Sequence, residues 1–102
     1  GFDWPDIHAI IGKLKEETAE LEEAIERGDA CDIKDELGDV LFTLVNIARF
    51  QHIDPEEALR DMLTKFIYRF NKIEDKAEQT GREISDMTLA EMDEVWESAK
   101  ET

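Results

Sequence analysis

Cysteine occurs once in the 102 residues, at Cys31, so no internal disulfide can staple the chain; a lone thiol fits a reducing cytoplasm. No apolar run approaches ~18 residues, and the mean hydropathy is −0.51, which excludes a membrane-embedded protein. The amino terminus lacks the charged-then-apolar pattern of a signal peptide. Its abrupt opening at Gly1-Phe2-Asp3-Trp4 is what a domain cut from a longer protein would show. Positive charge is scarce, with 12 Lys and Arg against 27 Asp and Glu and a formal net charge of −15. Nucleic acid is therefore not an expected partner, because a phosphate backbone needs a basic footprint. A phosphate-bearing small molecule remains possible where metal ions reverse the local field.

Period-two alternation of strand length is also missing, as are internal repeats and low-complexity stretches. What is present is helical periodicity. Ile7, Ile10, Ile11, Leu14, Leu21 and Ile25 recur at three-to-four spacing, so a first helix is expected from about Asp6 to Arg27. Gly28 is its expected left-handed stop, and Asp29 the N-cap of a second helix carrying Ile33, Leu37, Val40, Leu41, Leu44, Val45 and Ala48. Asp54-Pro55-Glu56-Glu57 starts a third helix, with Asp as N-cap and Pro in the first turn. Leu59, Met62, Leu63, Phe66, Phe70, Ile73 and Ala77 follow, and Gly81 closes the region. Thr88 and Glu91 form a capping-box pattern ahead of Leu89, Met92, Val95, Trp96 and Ala99. Short connections make neighbouring helices antiparallel, so residues 1–102 read as one all-α domain, an antiparallel bundle of about four helices. The polar stretch Glu78 to Asp86 is the expected mobile loop. The second and third helices are apolar over a wide arc, which suits burial on two sides and predicts a homodimer or higher homo-oligomer.

Two acidic pairs break this pattern. Glu17 lies in the line Ile10, Leu14, Leu21, and Glu36 lies between Ile33 and Val40. A carboxylate in a core-facing stripe costs several kcal/mol in principle unless something compensates it. Glu20 shares a helical face with Glu17, and Asp39 with Glu36, so each pair aims two carboxylates at one point. Acidic spacings of this kind arise easily in so acidic a chain and mostly mark solvated faces; two such pairs on adjacent helices, both intruding on apolar stripes, point to a site. Thr43 and Asn46 extend the polar seam, and Asn46 is a candidate ligand contact. Gly38, costing ~1 kcal/mol relative to Ala inside a helix, would let another helix or a ligand approach. All-oxygen ligation favours Mg²⁺, with Mn²⁺ as a substitute. His8 and His52 lie outside both clusters, which excludes the Glu-x-x-His pattern of di-iron bundles, and no EF-hand loop occurs.

Lys65, Arg69, Lys72 and Lys76 form a stripe at four-three-four spacing beside Phe66, Phe70 and Ile73. Lys65 and Arg69 are candidate phosphate contacts, Arg69 the better suited to bidentate binding. Lys72 and Lys76 are expected to pair with neighbouring acids. Trp96 and Lys100, four apart, can reach one pocket, although Trp at an apolar helical position is more often core. Trp4 would line a base pocket or plug the end of the bundle.

Glu16-Glu17-x-x-Glu20 followed by Glu36-x-x-Asp39 matches an EExxE…ExxD signature. Gly1-Phe2-Asp3-Trp4, Lys65-Phe66-x-x-Arg69-Phe70 and Val95-Trp96-x-x-x-Lys100 support it. On these residues nearly the whole chain resembles the MazG-type nucleoside triphosphate pyrophosphohydrolase domain of the all-α NTP pyrophosphatase group. The opening and closing segments are most similar to the second, catalytically active domain of two-domain members. The resemblance implies Mg²⁺-dependent hydrolysis of a nucleoside triphosphate to monophosphate and pyrophosphate. It implies Glu17, Glu20, Glu36 and Asp39 as metal ligands, with Glu16 supporting the site or a water. Lys65 and Arg69 would hold phosphates, with Trp96 and Lys100 around the nucleotide. No Ser, Cys or His is arranged as a nucleophile, so water is the expected attacker, with a carboxylate such as Glu17 or Glu36 assisting. Rival readings are a base-specialised relative acting on dUTP, dCTP or phosphoribosyl-ATP, a non-catalytic acidic module docking a basic partner, and a purely structural Mg²⁺.

Overall fold

The computed structural model describes residues 5–100; the expectations placed on Gly1 to Trp4 lie outside the described residues. Among the described residues there are four α-helices and no strand, as the periodicity predicts. The chain divides into two compact units, one ending at Ala58 and the other beginning at Leu59.

In the first unit, α1 spans Ile7–Arg27 and α2 spans Ala30–Phe50. Asp6 caps α1 by accepting from the Ala9 N–H at 2.9 Å. Gly28 ends it at φ 75°, a left-handed conformation that glycine adopts without a Cβ clash, and its N–H bonds the carbonyls of Ala24 and Ile25. Asp29 then caps α2 by accepting from the N–H groups of Cys31 (2.9 Å) and Asp32 (3.2 Å). A two-residue link leaves the helices nowhere to go but back along each other, and α1 and α2 pack together as a hairpin. Ile10 and Ala24 are fully buried in it, while Leu14, Leu21, Ile33 and Val40 are half-buried. The outer side of α2 stays open: Leu37, Leu41, Phe42, Leu44 and Val45 are 44–64% exposed. Gly38 lies exposed on α2, and a Cβ built there meets nothing within 4 Å. The close approach expected at Gly38 is thus not made among the described residues.

The helix α3, Pro55–Gln79, begins where the Asp54 carboxylate accepts from the N–H groups of Glu56 (2.9 Å) and Glu57 (3.4 Å). In the second unit its last turns pack with α4, Leu89–Lys100. Ile73, Ala77 and Met87 form the buried core there, backed by Ile84, Met92, Val95 and Trp96. The segment expected to be a mobile loop is partly ordered structure. Glu78 and Gln79 belong to α3, Gly81 turns the chain at φ 67°, and Ile84–Asp86 is a 3₁₀ turn. Arg82 ties the segment down: its guanidinium donates to both carboxylate oxygens of Glu91 and to the Asp86 carbonyl. Glu91 also completes the expected capping box, accepting from the Thr88 N–H while its own N–H donates to Thr88 Oγ1, both at 3.1 Å. Sequence spacing conveys the Thr88–Glu91 pair but not the Arg82 partnership nine residues away.

Replacing Gly38 by Ala is expected to stabilise the protein by about 0.5–1 kcal/mol in urea denaturation, since the added methyl meets open space and lowers the entropy lost on folding. The Arg82 guanidinium, aided by the Thr88 N–H, holds the Glu91 carboxyl at about 2 against an ordinary 4.5. A depressed carboxyl pKa contributes stability that is full above the ordinary value and lost as pH falls from 4.5 towards 2. Glu91→Gln should therefore melt below the parent protein at neutral pH. The gap should close across that acid window in thermal melts followed by circular dichroism.

Candidate metal centre

Glu20 and Glu36 each stand eight residues from Gly28 in opposite directions, and Glu17 and Asp39 each stand eleven. In a hairpin folded at Gly28, residues equidistant from the bend lie level with each other. The acidic residues of α1 and α2 are therefore brought to the same heights along the seam. Carboxylate oxygens of Glu17, Glu20 and Glu36 come within 4.8 Å of one another. Asp39, level with Glu17 in the chain, is exposed and falls outside that set. Its side chain is one methylene shorter than a glutamate. Glu16 points outward, its side chain 60% exposed and its carboxylate 3.8 Å from Lys13 Nζ.

Burial separates these acids from ordinary surface charge. Glu17 is 6% exposed, and Oε2 of Glu17 and Oε2 of Glu36 are both buried without a hydrogen-bond partner. The neighbouring buried polar groups in the seam behave differently. Thr43 Oγ1 donates to the Asp39 carbonyl at 2.8 Å, and Asn46 Nδ2 donates to the Phe42 carbonyl at 3.0 Å. Asn46 Oδ1 accepts from Arg49 at 3.2 Å. Each amide end of Asn46, a candidate ligand contact, thus has a partner within α2. Buried polar atoms normally find partners, so two orphaned carboxylate oxygens beside a third carboxylate form a cluster that could hold a cation. Hard, anionic oxygen donors fit Mg²⁺ or Mn²⁺ rather than a thiophilic metal.

Crowding shows in the electrostatics. The Glu17 charge, then burial, then the charge and hydrogen bond of Glu36 raise the Glu20 pKa above its ordinary value. Lys13, not singled out from sequence, lies one turn before Glu17 with Nζ 3.0 Å from Glu17 Oε1. That hydrogen bond, with the charges of Glu16 and Glu17, raises the Lys13 pKa. A lysine four residues ahead of an acid in a core stripe is the signal that would have found it.

The second unit gathers the other candidates. Lys65, Arg69 and Lys100 line one groove of about 460 Å³ with Thr64, Tyr68 and Ala99. Arg69 lies over the Trp96 ring, 5.3 Å from its centroid, and Phe66 meets the same ring edge-to-face at 5.3 Å. Trp96 is accordingly half core and half platform for a cation. Lys100 Nζ is also 3.2 Å from Glu97. Lys72 and Lys76 do not make the expected ion pairs: among the described residues neither is within 4.0 Å of a carboxylate, and Lys72 sits over the Tyr68 ring at 5.2 Å instead.

A carboxyl whose pKa is raised in the folded state is harmless below its ordinary value and destabilises as pH rises past it. In EDTA, Glu20→Gln is expected to melt above the parent protein at pH 7. At pH 4, where Glu20 is largely protonated in either state, the two should converge.

Comparison with known proteins gives the family of the chain. Residues 6–73 match the model of the MazG nucleotide pyrophosphohydrolase domain. Over 100 residues the chain is 42% identical to a Thermotoga maritima protein named nucleoside triphosphate pyrophosphohydrolase/pyrophosphatase MazG, covering 98% of this chain and 38% of that one. It is 33% identical over 102 residues to an Escherichia coli nucleoside triphosphate pyrophosphohydrolase, covering 98% and 39%. Over 71 residues it is 52% identical to the uncharacterized Bacillus subtilis protein YabN, covering 70% and 14%. The chain thus spans well under half the length of each of these relatives. On the matched residues and the extent of likeness, it belongs to the MazG nucleotide pyrophosphohydrolase domain family.

Proposed function

We propose that this domain hydrolyses nucleoside triphosphates to nucleoside monophosphate and pyrophosphate, using Mg²⁺ held by Glu17, Glu20, Glu36 and Asp39. The observation that carries the reading is the pair of buried, unpartnered oxygens, Oε2 of Glu17 and Oε2 of Glu36, in a cluster of three carboxylates. Two relatives covering nearly all of this chain bear that activity in their names. Bound there, Mg²⁺ would neutralise triphosphate oxygens and stabilise charge on the entering and leaving groups of an in-line displacement.

The chain's own residues divide the remaining work. Water attacks the α-phosphorus, its new P–O bond forming as the bond to the bridging oxygen breaks, and pyrophosphate leaves. A carboxylate of the cluster not fully taken up by the ion, Glu17 or Glu36, would accept the proton from that water. Glu16 supports the site from its exposed flank. Lys65 and Arg69 are assigned to the phosphates, and Lys100 with Trp96 to the nucleotide, in keeping with the cationic groove and the Arg69–Trp96 contact. Asn46, bonded to the Phe42 carbonyl and to Arg49, keeps a second amide N–H with which it would meet a ligand. Residues 1–102 act as one domain in this reading. The exposed apolar side of α2 is covered in a homodimer or larger homo-oligomer. The exposed, unpaired Cys31 thiol accords with a cytoplasmic setting, and no described helix is long and apolar enough to cross a membrane.

Incubation with Mg²⁺ and each nucleoside triphosphate, with products separated by anion exchange, should yield monophosphate and pyrophosphate. EDTA should abolish turnover. Glu36→Gln should lower it beyond the ~10–100-fold typical of groups that only support a metal ligand. Diphosphate with orthophosphate would place attack at another phosphorus. A folded protein that turns over no nucleotide would favour the docking-module reading.

A further inference from the structure

A cation already stands at the acidic cluster. Lys13 Nζ is 3.0 Å from Glu17 Oε1, and the two side chains differ sharply in shelter, 39% exposed for Lys13 and 7% for Glu17. The ammonium therefore reaches in from the solvent side and satisfies one oxygen of Glu17. The other, Oε2, stays buried and unpartnered, as does Oε2 of Glu36. One positive charge against three crowded carboxylates leaves the cluster under-neutralised, and an ammonium on one helix face does not satisfy the orphaned oxygens.

We propose that Lys13 is a displaceable counter-cation: it holds Glu17 while the site is free of metal and gives way when a divalent cation binds, so that the ammonium and the metal compete for the Glu17 carboxylate. This rests on the reading of the cluster as a divalent-cation centre. Three features suit Lys13 to leaving. A lysine ammonium is a strongly hydrated point charge on a flexible stem, without the fixed fork that would lock an arginine in place. Lysine placed four residues before a glutamate is the weaker helical orientation of such a pair. Glu16, whose side chain is 60% exposed, already has a carboxylate oxygen 3.8 Å from the same ammonium and offers a solvated resting place. Lys13 is then a positioning residue: it keeps the buried glutamate tolerable before loading and sets the threshold at which metal enters.

The test is Mn²⁺ binding to the full chain, read from the loss of the free-ion electron paramagnetic resonance signal, without nucleotide. Lys13→Met is compared with Lys15→Met, which makes the same change of net charge at an exposed residue of the same helix. Lys13→Met should bind Mn²⁺ roughly 3- to 10-fold more tightly, between the worth of an exposed ion pair and that of a charged hydrogen bond. Lys15→Met should stay within about twofold in 0.15 M salt. In EDTA the Lys13→Met protein should melt below wild type, and the two should converge at saturating Mn²⁺, when the ammonium is free in both. Unchanged or weaker binding by Lys13→Met would overturn the proposal, because Lys13 would then support the ligand rather than compete with the ion. Equal tightening in Lys15→Met would reduce the effect to net charge and overturn it as well. A wild-type protein that takes up no Mn²⁺ would remove the metal centre itself, and the proposal with it. Binding by wild type with no gain in Lys13→Met removes only the proposal.

Discussion

Burying Glu17 and Glu36 in the seam between two packed helices takes water away from carboxylate oxygens that no protein donor replaces. A buried carboxylate oxygen without a donor is an unfavourable feature for a small domain, so the rest of the first unit has to hold that seam closed. Its means are local. Asp6 and Asp29 satisfy the starts of α1 and α2, and Gly28 turns the chain in a conformation that side chains resist. Ile10 and Ala24 are fully buried in the same helix that carries Glu17. The apolar contacts and caps are fixed by neighbours in sequence, which makes the register of the hairpin insensitive to what happens at the acids. That separation is what permits a charged cluster in the core: the scaffold does not depend on the cluster for its geometry.

The helices were legible because their ends are written in residues with one physical use each. Gly28, the Asp54–Pro55 start and the Thr88–Glu91 box each satisfy orphan backbone groups within a few positions, so reading them requires no tertiary knowledge. The acidic site was legible in part for the same reason, since three-residue spacing fixes a helical face. The level match of α1 and α2 acids about Gly28 was also available, but only to a reader who had already closed the hairpin. Contacts set by tertiary placement were not legible. Arg82 finds Glu91 across nine residues and turns an apparent loop into a pinned segment. Lys72 and Lys76 lie among acids in sequence yet form no ion pair within 4.0 Å among the described residues. Gly38 signals a close approach that no described residue makes. Asp39 shows the reverse limit: spacing places it on the right face, and side-chain reach leaves it outside the three-oxygen cluster.

Two arrangements of charge in this chain show how structure and function draw on the same groups. Arg82 and Glu91 are complete: donors and acceptors are matched, the Glu91 carboxyl is held ionised far below its ordinary pKa, and the pair fastens the turn ahead of α4. Glu17, Glu20 and Glu36 are incomplete, and Glu20 is pushed the other way, towards holding a proton. The sign of the shift separates the two roles. A carboxylate stabilised by its partners contributes to folding and has nothing left to offer a ligand. A carboxylate destabilised by other carboxylates opposes folding and, under the proposed function, is left free to meet a cation.

The overall charge makes that distinction consequential. At a formal net charge of −15, the chain repels a free triphosphate before any contact is made. The few cations are not spread evenly as counter-charges: Lys65, Arg69 and Lys100 share one groove, and Lys13 stands against the acids. Under the proposed function, neutralisation of the substrate therefore has to come largely from divalent ions that the acidic side attracts. On that reading, an acidic surface would concentrate Mg²⁺ and favour nucleotide in its metal-complexed form over free nucleotide. The acidity that disfavours an anionic ligand would become, with the ion present, the means of selecting one.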